Sequence, residues 1–181
     1  LFILWLVNSH SHYYAEEVFV WNDIEQHNRN PLLYNTPGTD GLKTGHTEAA
    51  GYGLVASAER DGRRLILVIN GTTSTQERAS EGQRLMEYGF REFETYDLFA
   101  QGEVVSDADV WLGQADTVPL VLEGPLALTM SRSARQDMEV KVIYEGPVPA
   151  PVAAGQPIAQ LVITAPDMPT VERPLLAGQA V

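Results

Sequence analysis

The feature that most constrains this fold is a pair of strand-like runs joined by a tight turn and followed at once by a helix signal. Gly51-Tyr52-Gly53-Leu54-Val55-Ala56-Ser57-Ala58 reads as a strand, and Leu65-Ile66-Leu67-Val68-Ile69 reads as the strand that returns. Between them, Arg60-Asp61-Gly62-Arg63 supplies an Asp-Gly turn, the dipeptide that best tolerates the positive φ of a two-residue hairpin. The second run is apolar at every position, so both of its faces are expected to be buried, as in a sheet covered by helices. Ser74-Thr75-Gln76-Glu77 then has the spacing of a capping box, with Ser74 capping the amide three residues on and Glu77 reaching back. Leu85, Met86, Gly89, Phe90 and Phe93 make one stripe at helical spacing. Two antiparallel strands with a helix packed on them define an α+β arrangement.

The rhythm changes near Tyr96. Nine of the eleven prolines follow that residue, and all four histidines precede it. A domain boundary is therefore expected at about residues 94–100, giving domains 1–95 and 96–181. In the second part, Val118–Leu122, Glu139–Tyr144 and Ala159–Thr164 read as short strands between turns such as Glu145-Gly146-Pro147 and Ala165-Pro166-Asp167. Strands so closely spaced, without a long helical pattern, imply a small all-β sandwich.

Composition excludes some functions. A net charge of −12 leaves no basic surface to replace phosphate counterions, so nucleic acid is not an expected partner, and adhesion to anionic lipid is opposed. With no cysteine, disulfides and thiolate metal sites are out. The opening Leu1-Phe2-Ile3-Leu4-Trp5-Leu6-Val7 is too short to span a bilayer and lacks the basic flank of a signal peptide, so it reads as a buried strand or helix piece. Without a start methionine, the chain is expected to begin inside a longer one.

The stretch that carries chemistry is Asp40-Gly41-Leu42-Lys43-Thr44-Gly45-His46-Thr47. Lys-Thr-Gly alone is weak, arising by chance in roughly one chain of this length in a few dozen. On a strand edging a cleft its chemistry is specific. The Lys43 ammonium raises the local potential and assists proton transfer around an acylating serine. The Thr44 hydroxyl can hydrogen-bond a carboxylate, and Gly45 lets a ligand approach the strand without a Cβ in the way. The His46 amide can donate to a developing oxyanion.

The surroundings of that motif resemble the serine-type D-alanyl-D-alanine carboxypeptidase family of low-molecular-mass penicillin-binding proteins. The resemblance runs through Gln26-His27-Asn28-Arg29-Asn30-Pro31-Leu32-Leu33-Tyr34, Thr39–Thr47 and Ala50–Ala58, then Arg64-Leu65-Ile66 and Tyr88-Gly89-Phe90-Arg91. It extends over about residues 13–176 and is looser after Tyr96. It implies the C-terminal part of a transpeptidase-like catalytic domain (antiparallel sheet with helix) followed by a β-sandwich. It further implies that Lys43, Thr44 and Gly45 are the third active-site motif, that the His46 amide is half of the oxyanion hole, and that Arg78 and Arg29 bind the terminal carboxylate of the peptide. The implied ligands are a peptidoglycan stem peptide and β-lactams, with no cofactor, in a periplasmic enzyme peripheral to the inner membrane. Membrane contact would come only through a C-terminal amphipathic anchor that a chain ending at Val181 lacks. The sequence assigns no oligomeric state.

Arg78 has independent support. A cation in the first turn of a helix opposes the macrodipole, and its place on the stripe with Gly82, Leu85 and Gly89 turns it inward. An ion pair with Glu77 or Glu81 is the competing explanation. The departures from the family pattern are sharp. No serine has lysine three residues later, and Ser-x-Asn is absent, so the chain by itself is expected to be inert. A class A β-lactamase is opposed by the sandwich, and a non-catalytic envelope scaffold is the alternative from another class. His10 and His12 form a His-x-His pair without a third ligand. His27 and His46 read as loop residues and not acid–base groups. Asp107, Asp109 and Asp116 are too sparse for a calcium loop. Trp111 is expected in the sandwich core.

Overall fold

The computed structural model describes residues 11–181, so the apolar run 1–7 and His10 lie outside the described residues. The chain forms two compact units that divide between Glu92 and Phe93.

The first unit begins with a 3-10 turn at Ser11–Tyr14 and a hairpin of β1 (Val18–Trp21) and β2 (Ile24–His27). A single helical turn, α1 (Leu32–Asn35), leads into β3 (Thr39–Thr47), β4 (Gly51–Arg60) and β5 (Arg63–Thr72). These three strands pair antiparallel in the order β3-β4-β5, which leaves β3 on an edge. The helix α2 (Thr75–Glu92) follows. Alternate residues of a strand point to one face, so Leu54, Ala56 and Ala58 of β4 meet Met86 of α2 over Leu32, with Leu65, Leu67, Ile69 and Phe90 packed around them. Gly82 permits this closeness: a Cβ there would lie 2.9 Å from both Leu32 Cδ1 and Leu54 Cδ2.

The helix start follows the capping spacing with one shift. Ser74 Oγ accepts from the Glu77 amide at 3.1 Å. The Glu77 carboxylate reaches one residue further back than a standard box and accepts from the Thr73 amide and hydroxyl, each at 2.6 Å.

The expectation that both faces of β5 are buried is not met. Ile66 and Val68 are 67% and 69% exposed, while Leu65, Leu67 and Ile69 pack against α2. An all-apolar run reports that neither face is polar. It does not report that a second layer lies over both, and at Ile66 and Val68 the second face of β5 is open.

In the second unit, β6 (Phe93–Phe99) pairs with a strand from later in the chain, so it belongs here, slightly ahead of the 94–100 stretch where composition shifts. It is followed by β7 (Val104–Trp111), β8 (Thr117–Val121), β9 (Leu126–Ser131) and the short helix α3 (Arg132–Gln136). Then come β10 (Glu139–Ile143), β11 (Val148–Pro149), β12 (Pro157–Thr164) and β13 (Val171–Ala177). Six strands form one sheet in the order β10-β12-β13-β8-β7-β11, and β6 and β9 form a second. Ala108, Val118, Leu120, Leu161, Ile163, Leu175 and Ala177 from the first sheet and Leu126 from the second share one core, which is a β-sandwich. Trp111 is not in it. It is 58% exposed at the end of β7, next to Leu112, which is more exposed still. Three residues earlier on β7, Ala108 is fully buried in the core.

Candidate active site

The edge strand β3 carries the Lys-Thr-Gly-His run, and its register against β4 sets the direction of each side chain. Thr44 lies opposite Leu54 and His46 opposite Tyr52, while Lys43 lies opposite Val55 and Gly45 opposite Gly53. Directly paired residues share a face, so Thr44 and His46 point to the side covered by α2, and Lys43 points to the other. Thr44 is buried, whereas Lys43, Gly45 and His46 are exposed. The Lys43 ammonium donates to the Thr44 carbonyl at 2.6 Å. A Cβ at Gly45 would meet nothing within 4 Å, so the strand can be approached there without steric cost.

Just before the motif, Asp40 accepts from Arg64 Nη1 at 2.6 Å. The same Arg64 donates to buried Ser57 at 2.6 Å and pairs with Glu59. This clamp joins all three strands, and hydrogen bonding to Asp40 raises the Arg64 pKa above its ordinary value.

Arg78 points inward, as its place on the stripe implies. It is only 8% exposed, and among the described residues its side chain makes one hydrogen bond, from Nη2 to the Arg29 carbonyl at 3.3 Å. Its Nε is buried without a partner. The competing ion pairs are not formed: Glu77 is engaged by Thr73, and Glu81 pairs with Arg84 at 2.6 Å. Burial pushes the Arg78 pKa below its usual value, with a smaller opposing effect from Tyr52. A guanidinium removed from water without a carboxylate is costly unless an anion arrives to complete it.

The carbonyl that Arg78 holds is itself fixed. Asn30 is fully buried; its Nδ2 donates to Gly41 O at 2.8 Å, and its Oδ1 accepts from Leu32 N at 3.1 Å. Asn28 Nδ2 donates to Tyr14 O at 3.2 Å and Glu16 O at 3.0 Å. These amides bind the loop 28–31 to β3 on one side and to the chain before β1 on the other. The Arg29 side chain stays exposed while its backbone faces Arg78.

The structure therefore brings together Arg78, Arg29 through its backbone, and His46 through Tyr52. The Tyr52 ring lies 3.9 Å from the His46 ring and 5.9 Å below the Arg78 guanidinium carbon. Lys43 lies on the opposite face of the strand. Sequence reasoning missed Tyr52 and Asn30. Tyr52 was recoverable, since it and His46 are equally far from the turn joining β3 and β4. Asn30 gave no signal separating a buried amide from a loop polar residue. Among the described residues, no group of three metal-ligating side chains occurs, and no helix is long and apolar enough to cross a membrane.

Two family models match the chain in tandem: D-alanyl-D-alanine carboxypeptidase over residues 5–74, and penicillin-binding protein 5, C-terminal domain, over residues 93–181. The D-alanyl-D-alanine carboxypeptidase DacD of Escherichia coli is 33% identical over 172 residues, 94% of this chain and 44% of the relative. The chain belongs to the D-alanyl-D-alanine carboxypeptidase family. The family's DacA from Haemophilus influenzae is 38% identical over 154 residues, covering 82% of this chain and 39% of that one. Crystal structures of penicillin binding protein 5 from Haemophilus influenzae align with a TM-score of 0.71 at 31% identity, over 98% of this chain and 53% of that one. The chain thus spans about half or less of the length of these carboxypeptidases. The fold is α+β with a following β-sandwich, as the sequence resemblance implied.

Proposed function

We propose that this chain is part of a serine-type D-Ala-D-Ala carboxypeptidase of the cell envelope, sensitive to penicillin. It trims the terminal D-alanine from peptidoglycan pentapeptides through an acyl-enzyme. In the first half-reaction a serine oxygen attacks the penultimate D-alanine carbonyl, the peptide C–N bond breaks, and D-alanine leaves with the proton. Water then hydrolyses the ester and regenerates the serine. No serine of these 181 residues stands in Ser-x-x-Lys, so the nucleophile belongs to sequence outside them, and residues 1–181 are inert alone.

The observation that carries this reading is Arg78, a buried guanidinium with an unpartnered Nε that awaits an anion. In the proposed roles, Arg78 takes the terminal carboxylate of the peptide, with Arg29 beside it as an exposed second cation. Lys43 holds charge and assists proton transfer on the open face of β3. Thr44 donates to the carboxylate, Gly45 leaves room for the peptide, and the His46 amide supplies one oxyanion donor. β-Lactams present a carboxylate and an acylating carbonyl in the same relation. A class A β-lactamase has no use for the eight strands of the second unit.

A fluorescent penicillin tests the reading on the complete gene product. The expected result is a covalent adduct that excess unlabelled penicillin prevents and Lys43→Ala reduces by about 100-fold or more. A folded protein that takes no label overturns it.

A further inference from the structure

Tyr52 joins parts of the site that the sequence treats separately. Its backbone is set by the β4–β5 irregularity: Tyr52 pairs with Thr72, yet Leu54 pairs with Ile69. Thr72 Oγ1 donates to the Tyr52 carbonyl at 2.9 Å, holding the strand on the far side of that irregularity. Gly51 before it has φ +68°, and a Cβ there would lie 2.6 Å from Thr72 O, so the chain enters Tyr52 by one route. The ring then has two neighbours. The His46 imidazole stacks on it at 3.9 Å with the planes tilted by 32°. The Arg78 guanidinium sits over it at 5.9 Å, within reach of the negative face of the aromatic ring.

Among the described residues the Arg78 side chain makes one hydrogen bond, to a carbonyl, and its Nε has none. A side chain with so few directional contacts is aimed by what it packs on, and Tyr52 is the aromatic surface beneath it. We infer that Tyr52 is a positioning residue for carboxylate recognition. Its ring spaces the Arg78 guanidinium from the His46 end of β3, so that one anion-bearing ligand can reach both. This rests on the carboxylate role proposed above for Arg78. The ring, and not the hydroxyl, does this work, because both contacts are to the ring.

The test uses the complete gene product labelled with nitrogen-15 and N-acetyl-D-alanine as the carboxylate probe, following the Arg78 Nε–Hε resonance. The wild type shows a saturable downfield shift as Nε gains its acceptor. Tyr52→Phe binds within about twofold of wild type, since both ring contacts remain. Tyr52→Leu weakens binding by roughly fivefold or more and removes the ring-current shift from the His46 imidazole protons. If Tyr52→Leu loses its dispersed amide spectrum, Tyr52→Met, unbranched and of similar reach, replaces it. A folded non-aromatic variant that binds as tightly as wild type overturns the role of Tyr52 and leaves the carboxylate reading intact. A wild-type chain with no saturable shift overturns the carboxylate reading itself, and the role of Tyr52 with it.

Discussion

At the scale of single residues, buried polar groups such as Asn30 are satisfied, whereas Arg78 Nε and one carboxylate oxygen of Asp40 lack partners among the described residues. Asn30 belongs to the first kind. Asn30→Ala removes a donor from Gly41 O and an acceptor from Leu32 N, both deep in the structure. Leaving such groups unpaired costs about 2–3 kcal/mol, and the expected result is a lower denaturant midpoint at unchanged slope. Asn30→Asp keeps the acceptor and loses the donor, so it should destabilise without mimicking the wild type. Gly51→Ala places a Cβ against Thr72 O in a left-handed backbone and should cost about 2 kcal/mol on the same measurement. Arg78 is the other kind: its Nε is buried without a partner, a cost that the proposed carboxylate ligand would offset. Its inward direction was legible from the stripe it shares with Gly82. Its unsatisfied Nε was not, because sequence spacing places a side chain on a face without showing what else has reached it.

At the scale of elements, the hairpin and the helix behind it were the most legible parts. The Asp61-Gly62 turn, the strand run over residues 51–58 and the Ser74 cap each act locally, through a few neighbouring residues. Ser74→Ala should cost about 1 kcal/mol, read as a fall in thermal or chemical stability. The cap also predicts a pH dependence. Hydrogen bonds from the Thr73 hydroxyl and amide hold the Glu77 carboxyl below its ordinary value of 4.5. A depressed folded-state pKa contributes stability that is fully present above the unfolded value and is lost as pH falls through the folded one. The wild type should therefore exceed Glu77→Gln in denaturant midpoint at pH 7, and the two should converge in acid below pH 4.5. Equal midpoints at neutral pH would remove the carboxylate from the cap. What misled on β5 was its composition. Ile66 and Val68 lack polar atoms, but whether a layer covers them depends on partners far away in sequence.

At the scale of the whole molecule, the sandwich was legible through strand spacing, and the chain divides between Glu92 and Phe93, a few residues before the shift in proline and histidine distribution. The pairing order β10-β12-β13-β8-β7-β11 was not, since it joins strands across long separations that no local pattern records. Trp111 failed for a related reason: size and aromaticity favour burial, but the end of β7 lies outside the space between the sheets. Leu161, fully buried among strands of that core, is the residue to truncate. Leu161→Ala should destabilise the second unit by about 2–5 kcal/mol, measured by chemical denaturation. The central claim is that Arg78 recognises the free carboxylate of a D-Ala-D-Ala terminus next to the β3 edge. Its most direct test compares D-alanine release from that peptide with cleavage of the same peptide amidated at its end, in the complete gene product and its Arg78→Ala variant. The account predicts that the wild type prefers the free carboxylate and that Arg78→Ala loses about 10–100-fold of that preference. An Arg78→Ala enzyme that discriminates as well as the wild type would contradict it.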